Sequence, residues 1–486
     1  MHWIDLLIFT AYMLAMLGVG IYFLRKNKTA EDYYVGGRQM GSIHIGLSVV
    51  ATDVGGGFSI GLGGLGFLMG IAGSWMLLTG LIGAWLAAVF LIPKVRSNPA
   101  LGNFTTLPQI YGFFYDKRVA LAAGVISAIG YTGFTSSQLL AGAKLASGTF
   151  NQLGLNQALL IMGILAVVYT AIGGIKAVIY TDTIQWIILL CGLVFIGLPV
   201  SYYAVGGWQA IKATLPAEML SLGNIEFIQI VNWAITIIPI WFVGMTLYQR
   251  IYACKDVKTA KRAWYIAGLF EWPLMAFLGV SLGMLARVAA QQGLFTSLGF
   301  SGIEGVDEET GLAMLLRVTL PVGLMGLMLS SYFSAVLSTA DSCLMAASGN
   351  ILTDIIETLR GRAFALKKAL KYSQIITLVI GFFALIVASL TSKVLEIMLY
   401  SYGFMVSGLL VPLVAALFFK ARNSLAALVA MVAGGTTTLI LSLYKWPLPF
   451  GLDPNFFGLL VSLLGFYLVA ATTNQNTKHN KIKELA

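Results

Sequence analysis

The sequence predicts an all-α polytopic membrane protein of about 13 transmembrane helices, built on a five-plus-five inverted repeat. Three observations carry this reading. The chain of 486 residues is 58% hydrophobic and only 10% charged, whereas soluble domains carry about 25% charged residues. Its apolar runs are too numerous for any signal-peptide explanation, and they have the lengths of membrane-crossing helices. Two of the runs, five apart in order, are interrupted by glycine or proline. That is the expected trace of an inverted repeat whose broken helices frame a binding site.

In chain order, the first run covers 4–24 and is followed by Arg25, Lys26 and Lys28 with no small-residue cleavage site, so it reads as a retained helix. The second, 41–71, contains Asp53 and then Gly55, Gly56 and Gly57. An acid beside three adjacent glycines disfavours an unbroken helix. Irregular backbone at membrane depth is tolerated only where it is buried or lines a cavity. There it frees carbonyls for a cation and a half-helix N-terminus for an anionic group. A small-residue packing face is the competing reading, and Asp53 weighs against it. The runs 74–93, 119–149, 155–173 and 178–204 complete the first repeat. The seventh run, 225–248, carries Pro239 with Gly244 shortly after it. It opens a second repeat with 263–290, 311–352, 370–391 and 394–419. The core is thus about 41–204 and 225–419. The helices 4–24, 424–443 and 456–473 are additions, and 1–486 forms one transmembrane domain.

The chemistry concentrates in the ninth run, from Tyr332 to Asn350. Read as one helix from Gly311 to Leu352, it exceeds the thickness of the hydrocarbon core. Its middle is polar, with Ser338, Thr339, Asp341 and Ser342. Ser338, Asp341 and Ser342 share one helix face. Hydroxyls and a carboxylate are hard oxygen ligands, suited to Na⁺ and poor for a soft metal. Lone hydroxyls in helices usually bond back to the preceding turn. An intramembrane aspartate, in contrast, requires a partner and marks an ion or substrate path.

The net charge of +10 does not point to nucleic acid, because the basic residues sit in loops that alternate with apolar runs. With the N-terminus outside, 24 of the 30 lysines and arginines, Arg250 and Lys255 to Arg262 among them, fall in cytoplasmic segments. The other six are Lys144, Lys212, Arg287, Arg317, Lys393 and Lys445. The acidic loop of Glu304, Asp307, Glu308 and Glu309 is then external and the C-terminus internal. Cys191, Cys254 and Cys343 support neither a disulfide framework nor a metal cluster. His2, His44 and His479 are too scattered for a histidine-based catalytic site, and no Walker A motif offers ATP as the energy source.

Three stretches resemble the sodium/solute symporter family, with its proline, sodium–glucose and sialic acid branches. YTAIGGIKAVIYTDTIQ, Tyr169 to Gln185, is similar to the family's Gly-Gly signature. AVLSTADS, Ala335 to Ser342, is similar to its ion-site helix, and ATDVGGGFSIG, Ala51 to Gly61, to its broken helix. The resemblance covers most of the chain. It implies a LeuT-type fold, alternating access, a multi-pass place in the plasma membrane and Na⁺ as the coupled ion. It further implies a sodium site from the carbonyls of Ala51, Val54 and Ala335 and the hydroxyls of Ser338 and Thr339. A second sodium site would use Asp182, Ser338 and Ser342. Asp341 stands where members with that site have serine. This departure leaves a stronger second cation site, a proton-linked site or a structural pairing open. Asp53 is a supporting acid shared with the proline branch.

Candidate substrate contacts are Phe134, Ser137 and Gln138 on the fourth run, Trp241 on the seventh and Tyr402 on the eleventh. Phe134 and Trp241 fall where the proline branch places aromatic contacts. The fourth run lacks an arginine for carboxylate capture, and the third lacks the Gln or Glu of a sugar site. A small amino acid, zwitterion or monocarboxylate is therefore favoured. The expected partners are that solute and the lipid bilayer, without nucleic acid; the oligomeric state is left open. The alternatives are a proton-coupled LeuT-fold transporter of another substrate class and a membrane enzyme using Asp53, Asp182 and Asp341. The second lacks any accompanying histidine or metal motif.

Overall fold

The computed structural model describes residues 2–26, 36–150, 153–172, 175–444 and 446–484. The Gly173–Gly174 turn, Lys28 and Lys445 lie outside the described residues. The principal helices are α1 (Trp3–Lys26), α2 (Ser42–Asp53), α3 (Gly55–Met69), α4 (Trp75–Leu86), α5 (Lys117–Thr149), α6 (Leu155–Ile172) and α7 (Ile175–Gly192). They continue with α8 (Phe227–Val243), α9 (Met245–Ala253), α10 (Val257–Leu269), α11 (Ala276–Gln291), α12 (Gly311–Thr319) and α13 (Leu324–Gly349). The last four are α14 (Leu366–Ser389), α15 (Val394–Phe418), α16 (Ser424–Tyr444) and α17 (Pro454–Glu484). Over the described residues the apolar runs are helical apart from local interruptions. Among the described residues, 8 helices are long and apolar enough to cross a membrane, or up to 9 spans with the bent pair α8–α9.

Local chemistry sets the interruptions. The second run breaks after Asp53, and the chain restarts at Gly55 with φ +35. A side chain there would also collide with the Thr339 hydroxyl, so the position admits only glycine without strain. The seventh run bends by 43° between α8 and α9. The bend falls at Gly244, which is extended at φ −72 and ψ 114, while Pro239 stays inside the helix.

The ninth run is two helices rather than one. α12 ends before Leu320, which precedes Pro321 and takes the extended conformation that a proline imposes on its neighbour. α13 begins after Gly323, at φ +88. The Asp5 carboxylate of α1 caps this start, accepting from the Gly323 and Gly326 amides at 2.7 and 2.9 Å. A negative charge at exposed helix amides is favourable on dipole grounds. The result shortens the polar helix and fixes its depth against α1.

α13 is buried along almost its whole length and packs on α5, α7 and α1. The outer helices α14, α16 and α17 instead expose large apolar residues such as Phe382, Phe383, Leu443 and Leu468. A belt of this kind suits lipid contact. At one end of the bundle, Lys144 of α5 is buried and paired with Asp307 at 2.6 Å and Glu309 at 2.7 Å. Beside it, Glu308 pairs with Lys393. Burial opposes both charges there, but the pairing wins: the Glu308 carboxyl sits below its usual range and the Lys393 ammonium above it. The sequence placed these residues near one surface and did not foresee that they lock α5, the acidic loop and α15 together.

Candidate ion and substrate site

The break between α2 and α3 faces the polar middle of α13. The Thr339 hydroxyl lies 3.0 Å from the Ala51 carbonyl of α2 and 3.0 Å from the Ala335 carbonyl one turn back on α13. Three oxygens from two helices therefore converge at one buried point. Val54 is buried at the same break, joining the two half-helices. Of the five residues expected to hold the first sodium, Ala51, Ala335 and Thr339 are in direct contact. Ser338 turns aside, and its hydroxyl donates to the Asp182 carboxylate of α7.

The second candidate set is also assembled, with a member that sequence reasoning missed. Asp182 accepts from Ser338 on one oxygen and from Ser48 on the other, the latter at 2.6 Å. Arg250 of α9 sits 3.7 Å from the same carboxylate. Its guanidinium donates to Thr52 at 2.7 Å, Ser342 at 2.9 Å, Ser48 at 3.3 Å and the Thr246 carbonyl at 3.2 Å. Arg250 and Asp182 are both fully buried. Arg250 was expected in a cytoplasmic loop. It belongs to a helix, because the bend at Gly244 turns α9 back into the bundle beside α2 and α13. Asp341 stands apart from this network and accepts from the Thr170 hydroxyl of α6. It also lines a cavity of about 390 Å³ between α1, α6, α7 and α13.

The substrate candidates fall around the other side of the break. Tyr402 of α15 donates to Asp53 at 3.1 Å and meets the Phe134 ring edge-on at 4.9 Å. The Gln138 side chain accepts from the Gly57 amide at 3.0 Å, at the first turn of α3. Ser137 donates to the Phe134 carbonyl at 2.7 Å, so its hydroxyl is held by its own helix. Trp241 packs edge-on against Trp264, and its indole N–H has no partner among the described residues. Glu271, which the sequence did not single out, is fully buried, and neither of its carboxylate oxygens has a hydrogen-bond partner among the described residues. It lies at the kink between α10 and α11, where Trp272 leaves helical geometry before Pro273. An acid beside a proline within an apolar run was the available signal. Gly80 and Gly83 of α4 make room for Glu271 and Trp241, one turn apart.

A helical bundle with two broken helices, and a buried cluster of carbonyl and hydroxyl oxygens at one break, is the architecture of a secondary transporter. The chain belongs to the sodium:solute symporter family, whose model matches residues 33–434. It is a multi-pass membrane protein that couples the movement of a small organic solute to sodium, and it is not an enzyme. It is 26% identical over 484 residues to the osmoregulated proline transporter OpuE of Bacillus subtilis (strain 168), covering 96% of this chain and 94% of that one. It is 26% identical over 491 residues to the sodium/proline symporter of Salmonella typhimurium, covering 97% and 95%. A Na⁺-coupled sialic acid symporter in a substrate-bound outward-open state superposes with a TM-score of 0.79 at 22% identity, over 97% of this chain and 98% of that one. The nucleobase-cation-symport-1 family transporter Mhp1, in a closed conformation with bromovinylhydantoin bound, superposes at 0.58 with 13% identity, over 91% and 94%. These superpositions show the fold.

Proposed function

We propose that this protein imports a small zwitterion of the amino-acid type, proline first among the candidates, with Na⁺ held at the break between α2 and α3. The convergence of Thr339 with the Ala51 and Ala335 carbonyls carries the ion-site reading. Oxygen-only coordination suits a hard monovalent cation, with Val54 and Ser338 completing the set as α13 shifts against α2. On the solute side, the buried acids Asp53 and Glu271 and the Phe134–Tyr402 wall suit an ammonium group. The start of α3 suits a carboxylate. The similarity to proline transporters supports proline.

The same reading takes the chain, 1–486, as one transporter domain of 13 spans in the LeuT-type arrangement. The repeats are 41–204 and 225–419, and the N-terminus lies outside. Even with Arg250 moved into the bundle, the basic residues remain concentrated on the cytoplasmic side. A cysteine placed in the Lys255–Arg262 loop should be reached by a membrane-impermeant reagent only after the cells are opened. Labelling in intact cells would reverse the orientation.

Purified protein in proteoliposomes tests the function. An inward sodium gradient should drive accumulation of labelled proline, or of another zwitterion from a small panel. Equal uptake with potassium replacing sodium would defeat the ion assignment. Trp241→Ala should raise the half-saturating solute concentration by roughly tenfold or more, as losing a buried aromatic anchor does, while sodium dependence stays close to wild type. A change confined to sodium would remove Trp241 from the solute site.

A further inference from the structure

We propose that Arg250 is a tethered cation that fills the second ion position, so that this transporter moves one sodium per solute. The inference rests on the sodium-symport reading above and concerns its stoichiometry. The oxygens that a second sodium would need are Asp182, Ser338 and Ser342. Asp182 faces the guanidinium at 3.7 Å, and Ser342 accepts from it at 2.9 Å. Ser338 spends its proton on Asp182, and Ser48 links the two charges by accepting from Arg250 at 3.3 Å and donating to Asp182 at 2.6 Å. Thr52, one residue before Asp53, accepts from the same guanidinium at 2.7 Å.

Every partner in this network is buried, and four helices contribute to it. A planar guanidinium with several fixed donors satisfies such a set of oxygens in a way that a bare ion would duplicate. A sodium ion added beside it would bring a second positive charge against Arg250, and among the described residues Asp182 is the one carboxylate paired with that guanidinium. Arg250 also lies on α9, directly after the bend at Gly244. The built-in charge therefore travels with the second broken helix, whereas a transported ion would leave at each turnover. Asp341 is outside this arrangement, held by Thr170.

Reversal potentials in proteoliposomes read the stoichiometry directly. With one sodium, a neutral zwitterion stops moving when its gradient balances the sodium gradient and potential counted once; with two, counted twice. We expect the one-ion value in the wild type and in Asp341→Asn. A two-ion value in the wild type overturns the proposal, and a fall from two to one in Asp341→Asn would assign the extra ion to Asp341. Sodium-independent uptake would instead defeat the symport reading on which the proposal rests. Arg250→Ala frees the oxygens around Asp182. Its sodium dependence should turn sigmoidal, with a Hill coefficient rising from about 1 toward about 2, and Asp182→Asn in the same chain should cancel the gain. A hyperbolic curve in a folded Arg250→Ala protein would count against the tethered-cation role. If that variant does not fold, the wild-type reversal potential decides alone.

Discussion

Asp182→Asn is expected to destabilise the protein by roughly 3–5 kcal/mol, the usual result of removing one partner of a buried ion pair. The native carboxylate answers a guanidinium that is fully buried and whose hydrogen-bond partners among the described residues are hydroxyls and a carbonyl. An asparagine keeps the shape and supplies an amide oxygen but leaves the positive charge uncompensated in a low-dielectric interior. Thermal unfolding in detergent measures the loss. Arg250→Met added to Asp182→Asn should recover much of it, because the pair is then removed as a whole. Ser338→Ala, which deletes one hydrogen bond to the Asp182 carboxylate, should cost roughly 1.5–3 kcal/mol by the same measurement. An unfolding midpoint equal to wild type in Asp182→Asn would mean that the pair contributes nothing in the membrane-extracted protein.

Thr339→Ala should raise the sodium concentration for half-maximal uptake by at least ~10-fold, a typical scale for disturbing a metal-site partner. Its hydroxyl touches two of the three backbone carbonyls proposed for the first site, those of Ala51 and Ala335. Gly55→Ala attacks the same point from the other helix. Its methyl group would meet the Thr339 hydroxyl at 2.3 Å, and φ +35 disfavours any side chain. Sodium-driven uptake should fall more than ~10-fold in that variant, with solute binding at saturating sodium less affected. Thr339→Ala in the Gly55→Ala background should relieve the clash without restoring sodium affinity. Wild-type sodium dependence in both single variants would remove the α2–α13 contact from the ion site.

Much of this protein was legible from the chain. The apolar helices, the Asp53–Gly57 interruption and the polar middle of α13 follow from local chemistry; among the described residues 8 helices, or up to 9 spans with the bent pair, have membrane length, and Asp341 stands apart from the hydroxyls beside it. Glycine and proline punctuate the backbone through nearest-neighbour sterics, so the break at Gly55 needed no tertiary information. The division of the ninth run at Pro321 was written equally locally, but its apolar continuity masked it. The identity of each polar partner was different. Asp182 and Arg250 are 68 positions apart in the sequence, and nothing in the local pattern of α9 separates an arginine in a loop from one folded back into the core. Only the bend at Gly244, which carries α9 against α2 and α13, brings the guanidinium to Ser342 and Thr52. Glu271 likewise enters the interior because the kink before Pro273 and the small face of α4 at Gly80 leave room for it. The sequence by itself determined the fold class, the two broken helices and the oxygen-rich helix, since these depend on hydropathy and backbone sterics. The tertiary structure alone decided which charges pair, because that depends on distances between helices far apart in the chain.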